Sequence, residues 1–208
     1  MIKVLLVMSL NAGAYYLLLS YTPTFLIEQA HMSEASSNLV VTIGLVCYLA
    51  IIPIMAHFSD RFGRKRTLLT SSVAFIVLSY PMMSLFARGG LLLATTVLII
   101  GLIFFAMNDA VFPSFFTEMF GTRSRYLGFA LPFNIGALLF GGVAPLIGTW
   151  LIQATGNSSA PAFFLILVGA LSLIGLLLSR ETARTDLVDT QREVGTVPVH
   201  KISQSPVH

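Results

Sequence analysis

One acidic residue, Asp109, stands inside an apolar stretch long enough to cross a membrane, directly after Asn108. A charged Asp at the centre of a membrane helix costs about 2.5–3.5 kcal/mol, so we expect Asp109 to face a cavity or to carry a proton. A carboxyl group that gains and loses a proton could serve a proton-coupled process. The structural alternatives are access to water near the helix end and a hydrogen bond to a neighbour such as Asn134.

Polar side chains also recur along the first apolar stretch. Asn11, Tyr15 and Thr22 fall near one stripe of a helix by their spacing, and Tyr16 lies beside that stripe. Tyrosine rings suit a cationic or zwitterionic amine through cation–π contacts and hydrogen bonds. These residues are candidates for substrate contact, with interfacial anchoring and helix packing as the structural alternative.

Composition indicates which elements must position these residues. Of the 208 residues 56% are hydrophobic and 10% are charged, whereas soluble domains carry about 25% charged residues. A globule of this size cannot bury so large an apolar excess. We therefore predict an all-α, multi-span membrane protein. A soluble enzyme, a disulfide-rich secreted domain and a nucleic-acid binder fit poorly.

Six apolar stretches have about the 20 residues that a helix needs to cross a bilayer core of about 30 Å. They cover residues 4–27, 38–58, 67–86, 91–116, 126–153 and 161–179. The first stretch is too long for a typical signal peptide. Residues 1–180 are predicted to form the transmembrane domain, and the polar residues 181–208 a disordered cytoplasmic tail.

The basic residues predict how these helices are oriented. Eleven of the 12 Lys and Arg residues fall on one side of the alternating helices, and only Arg88 falls on the other. Basic residues concentrate on the cytoplasmic side of membrane proteins. The pattern predicts a plasma (inner) membrane location with both termini in the cytoplasm.

An ordered motif follows the second stretch. Ala56 precedes the string Asp60-Arg61-Phe62-Gly63-Arg64-Lys65-Arg66 by four residues. Gly63 permits a tight turn, Asp60 can interact with the N-terminus of a neighbouring helix, and the cations favour the cytoplasmic side. A simple basic stop between two spans would not explain the order of the string.

This motif resembles the loop signature of the major facilitator superfamily, with Ala56 where glycine is usual. Residues 117–128, the pair Phe133-Asn134 and residues 181–183 resemble the metabolite:proton symporter branch. Members of that branch carry proline and betaine, citrate, 2-oxoglutarate or shikimate. The resemblance implies that the first and fourth helices face the cavity. Glu118, with Arg123 and Arg125, is interpreted as a cytoplasmic gate or loop ion-pair set, with an ordinary solvated loop as the alternative.

Such transporters have twelve spans, and this chain resembles their second half. The resemblance implies proton-coupled transport of a small polar metabolite by alternating access at the midplane between two halves. The other half would come from the same longer chain, a separate chain or a second copy. Proline or glycine betaine is the favoured substrate class, and citrate or another di- or tricarboxylate is the alternative. A truncated, inactive fragment or interaction subunit is a third possibility. We find no catalytic, metal-binding or phosphate-loop motif, and predict no enzyme activity and no cofactor.

Overall fold

The computed structural model describes the backbone of residues 2–119 and 125–179 and the side chains of residues 2–115 and 130–179. Every secondary-structure element in these ranges is a helix, which confirms the predicted all-α class. We number the helices α1 to α6. They comprise α1, Ile2–Glu28; α2, Glu34–Phe62; α3, Arg64–Phe86; α4, Leu91–Asp109 with Phe112–Met119; α5, Arg125–Gly136, Ala137–Gly142 and Ala144–Thr155; and α6, Pro161–Leu177.

Five of these helices, α1 to α5, are long and apolar enough to cross a membrane. Helix α6 is apolar but has 17 residues, the lower limit for spanning a bilayer. The count of six spans therefore depends on α6 and stays a prediction. The predicted tail, residues 181–208, lies outside the described residues.

The turn between α2 and α3 is shorter than the sequence predicted. We expected residues 59–66 to form a loop, but α2 continues to Phe62 and α3 begins at Arg64. Gly63 alone reverses the chain, with a φ of 101° that side chains other than glycine rarely adopt. Helical residues satisfy their own backbone groups, so extending both helices leaves few of these groups without a partner.

The packing gives the bundle two distinct ends. At one end Lys65 donates a hydrogen bond to the Ser179 carbonyl, and a Cβ built on Gly175 of α6 would lie 2.8 Å from Leu6 near the start of α1. At the other end the α1–α2, α3–α4 and α5–α6 connections meet. There Gln29 accepts a hydrogen bond from Ser158. The start of α1 and the basic α2–α3 turn thus lie at one end of the bundle.

Three helices are irregular along their length. Residues Tyr16–Tyr21 of α1 and Ala137–Gly142 of α5 are π-helical, and α4 is interrupted between Asp109 and Phe112. Each irregularity precedes a proline, at positions 23, 145 and 113. Proline has no N–H for the carbonyl four residues earlier, so the regular hydrogen-bond pattern ends there. Such interruptions often occur at functional sites.

Candidate functional site

The Asp109 carboxylate accepts hydrogen bonds from two other helices. The Tyr48 hydroxyl on α2 donates to Oδ2 at 2.5 Å, and the Asn11 amide on α1 donates to Oδ1 at 3.0 Å. Among the described residues no basic side chain forms an ion pair with Asp109. The carboxylate is thus bound by neutral donors on α1 and α2, and these contacts join three helices at one point.

The interruption in α4 lies directly after Asp109. The Val111 amide bonds to the Asn108 carbonyl at 3.3 Å, a tighter turn than the α-helical pattern. Pro113 cannot donate to the Asp109 carbonyl, four residues earlier. Asp109 therefore stands at the end of a helical segment, a position that secondary transporters use for substrate and coupling-ion sites.

Aromatic rings line the same region. Tyr48 stacks on Phe105 of α4 with 5.6 Å between ring centroids, and Tyr15 of α1 lies 6.2 Å from Phe105. Tyr15 is 46% exposed, whereas Phe105 is fully buried. The ring of Tyr15 is therefore the accessible member of this aromatic group, and it is available for a cation–π contact.

Asn108 is fully buried beside the carboxylate. Its Oδ1 accepts a second contact from the Asn11 amide at 3.2 Å. Its Nδ2 is buried and has no hydrogen-bond partner in the described part of the chain. A buried unpaired amide costs free energy, so this group would gain from a ligand or from a rearrangement of the site.

Tyr48 was not among the residues selected from the sequence. It is the fifteenth of the 29 residues of α2, whereas membrane tyrosines favour the two interfaces. A tyrosine at the centre of an apolar span requires a hydrogen-bond partner. The central position of Tyr48 was therefore the feature of the sequence that could have identified it as a site residue.

Three other predicted residues have different hydrogen bonds or contacts. The Tyr16 ring packs on α5, where a Cβ built on Gly141 would lie 2.6 Å from it. Asn134 donates to the Ala130 carbonyl of its own helix, whereas the hydrogen bonds of Asp109 come from Tyr48 and Asn11. Thr22 is buried and donates to the Leu17 carbonyl. The intervening π-helix changes the number of residues per turn, so spacing of seven no longer keeps Thr22 on the stripe of Tyr15.

The signature motif lies at the end of the bundle formed by the α2–α3 turn. Arg64 and Asp60 approach to 3.9 Å across Gly63, and Asp60 is 70% exposed. An exposed pair of this kind stabilises little. Ala56 and Arg61 lie on the last two turns of α2. The side chains of Glu118 and Arg125 and all of Arg123 are outside the described residues.

No cluster of three His, Cys, Asp or Glu residues suited to a metal occurs within the described ranges. The site is thus a carboxylate, two amides and aromatic rings. This arrangement can bind and release a proton and can contact an amine.

Comparison with known proteins finds, along most of the chain, the family that the sequence motifs resemble. The sequence profile of the Major Facilitator Superfamily matches residues 4–206. A proline/betaine transporter of Escherichia coli K12 is 33% identical over 173 residues, which are 83% of this chain and 34% of that protein. A glycine betaine/proline/ectoine/pipecolic acid transporter of Dickeya dadantii is 32% identical, with the same coverage of both chains.

A citrate-proton symporter of Klebsiella pneumoniae is more distant, at 27% identity over 77% of this chain and 36% of its own length. The chain thus spans about a third of the length of the curated relatives it matches.

Proposed function

Because this chain belongs to the Major Facilitator Superfamily, we propose that it forms the C-terminal six-helix half of a proton-coupled transporter for small polar metabolites. Its apolar helices make it a multi-pass membrane protein. The similar proteins named as transporters and symporters support this function. Alternating access would take place between this unit and a second six-helix unit supplied by the same longer chain, another chain or another copy.

One observation carries the proposal, namely the Asp109 carboxylate held by Asn11 and Tyr48 where α4 is interrupted. A charged carboxylate within a membrane bundle costs free energy, and taking up a proton removes that charge. Substrate would bind beside it, against the exposed ring of Tyr15. A proton and a substrate that share one site can be coupled through the same rearrangement of helices.

The aromatic group and the names of two similar proteins favour proline or a betaine as substrate. A cationic ammonium group would lie on the Tyr15 ring, and the Asp109 carboxylate would attract it. The citrate-proton symporter favours a tricarboxylate instead. Within the described helices every Lys and Arg lies near a helix end, and this unit offers no central cation for such a substrate.

The test is uptake of radiolabelled proline, glycine betaine and citrate into proteoliposomes under an imposed proton gradient. The 208-residue chain is compared with the same chain co-expressed with the second six-helix unit, taken from the longer reading frame or a neighbouring one. We expect uptake only with both units, and loss of uptake when a proton uncoupler is added. Uptake by the chain alone would indicate an assembly of its own copies.

The Asp109→Asn variant is the matched test of the mechanism. It keeps the size of the side chain and removes its proton-binding group, so we expect proton-driven uptake to fall at least tenfold. Exchange of substrate across the membrane without a gradient should persist better than net uptake. Net uptake with an unchanged pH dependence would exclude Asp109 from proton coupling. Absence of all transport despite verified insertion would favour an inactive fragment or an interaction subunit.

A further inference from the structure

The Tyr48 hydroxyl depends on Asp109 for its hydrogen bond. Tyr48 is only 5% exposed, and its bond to Asp109 Oδ2 is the one hydrogen bond it makes within residues 2–119 and 125–179. A buried hydroxyl without an acceptor is destabilised, and Tyr48 has little access to water as a substitute. The hydroxyl therefore requires that Oδ2 of Asp109 stay free to accept.

Asn11 is placed differently. Its amide nitrogen lies 3.0 Å from Asp109 Oδ1 and 3.2 Å from Asn108 Oδ1. If Oδ1 of Asp109 takes up a proton, Asn11 retains the Asn108 acceptor on the same helix. The link between α1 and α4 therefore has two acceptors, whereas the hydroxyl link between α2 and α4 has one.

We propose that Tyr48 is the positioning residue of the Asp109 proton site, and that its hydroxyl holds Oδ2 so that the proton enters on Oδ1. The proposal rests on the proposed function, which makes Asp109 the proton-binding group. A charged carboxylate accepts from both donors, whereas a protonated carboxyl must donate from one oxygen. Proton uptake thus weakens the Asn11 contact, for which Asn108 offers a second acceptor, and leaves the Tyr48 contact in place.

Stacking keeps the Tyr48 ring in place in either state. The ring lies on Phe105 at an angle of 25°, and Gly44, one turn earlier in α2, packs closely on Leu98 of α4. Packing therefore fixes the position of the ring, and the ring holds the hydroxyl at Oδ2 of Asp109. The other titratable side chain of this aromatic group is Tyr15, on α1. Within the described residues no Lys, Arg or His is ion-paired with Asp109.

The first test measures the pH profile of uptake in the assembled transporter. Tyr48→Phe removes the hydroxyl and keeps the ring on Phe105. Because the variant takes one of two donors from the charged carboxylate, we expect the midpoint of the pH dependence of uptake to differ from that of the wild type. The matched control is Tyr80→Phe in α3, whose ring packs near Phe163, away from the site. The control should keep the wild-type midpoint, and an equal midpoint in both variants would overturn the proposal.

The second test does not require transport. In the purified full chain in lipid nanodiscs, infrared spectroscopy follows the C=O stretching band of protonated carboxyl groups as the pH is changed. Subtracting the Asp109→Asn spectrum isolates the contribution of Asp109. We expect Tyr48→Phe, and not Tyr80→Phe, to change the frequency of this band and the pH at which it appears.

The two tests separate the positioning role from the proposed function. A shifted band in a chain that transports nothing would support the role of Tyr48 and count against the transport function. Proton-driven uptake with an unshifted band in Tyr48→Phe would support the transport function and contradict the role of Tyr48. If Asp109→Asn removes no titrating band at all, Asp109 does not exchange protons and the proposal fails.

Discussion

The carboxylate of Asp109 is bound by neutral donors, and within the described residues no basic side chain is ion-paired with it. It accepts from a phenol on α2 and from an amide on α1. Neutral donors stabilise a charge less than an ion pair would. The proposed function uses this carboxylate as the proton-binding group.

The accessible ring of Tyr15 gives a prediction about substrate binding. Cation–π contacts contribute about 0.5–2 kcal/mol, so replacing the ring by an aliphatic side chain in Tyr15→Leu should raise the KM for glycine betaine by about 2- to 30-fold. Tyr15→Phe keeps the ring and should stay within about twofold of the wild type. Initial rates of uptake against substrate concentration provide the measurement. Equal losses in the two variants would assign the role to the hydroxyl instead.

Interruptions of three helices shape the centre of the bundle. Helices α1 and α5 pack side by side through their π-helical segments, where the Tyr16 ring covers Gly141. A π-helical segment and a following proline leave backbone carbonyls without their regular donors, so these segments bend more easily than a regular helix.

Gly141 and Gly142 provide a matched test of this contact. A Cβ at position 141 would lie 2.6 Å from the Tyr16 ring, whereas at position 142 it would meet only a carbonyl oxygen at 4.0 Å. We expect Gly141→Ala to reduce the free energy of unfolding by about 1–3 kcal/mol and Gly142→Ala to have much less effect. The measurement is thermal unfolding in detergent.

A double variant identifies the ring as the cause. Combining Gly141→Ala with Tyr16→Ala should cost less than the sum of the two single changes, because the clash is then gone. Strict additivity would show that Gly141 is needed for a reason other than its contact with Tyr16.

At the scale of the whole molecule, two helices lack partners for much of their surface. Helices α2 and α5 are the least buried of the five long helices. Their exposed side chains include Val46, Leu49 and Leu146, each more than 60% exposed. Lipid or a second six-helix unit can cover such faces, and the proposed alternating access assigns part of them to the second unit.

The two ends of the bundle also predict its orientation. The test uses two single-cysteine variants, Glu34→Cys and Phe62→Cys, each on a Cys47→Ser background. Position 34 lies at the end of the bundle with the α1–α2 connection, and position 62 lies at the end with the basic turn. In intact cells a membrane-impermeant maleimide should label the first cysteine and not the second, and permeabilised cells should show both. The opposite pattern would reverse the topology predicted from the Lys and Arg distribution.

The sequence alone was sufficient for the class, the family and most helix boundaries. Long apolar stretches between charges form membrane helices whatever their neighbours are, because lipid offers no hydrogen-bond partners for unpaired backbone N–H and C=O groups. The turn at Gly63 was also readable, since few other residues adopt its φ. Asp109 stood out because a lone acid in an apolar helix is costly wherever that helix packs.

The partners of Asp109 were decided by the tertiary structure. Tyr48 lies 61 positions away in the chain, and Asn11 lies 98 positions away. Only the packing of α1 and α2 against α4 brings them to the carboxylate. A related limit applies to the stripe through Thr22, because regular helical spacing does not anticipate a π-helical segment, which changes the face that later residues occupy. Periodicity specifies where helices form, whereas the contacts between helices specify which side chains share a site.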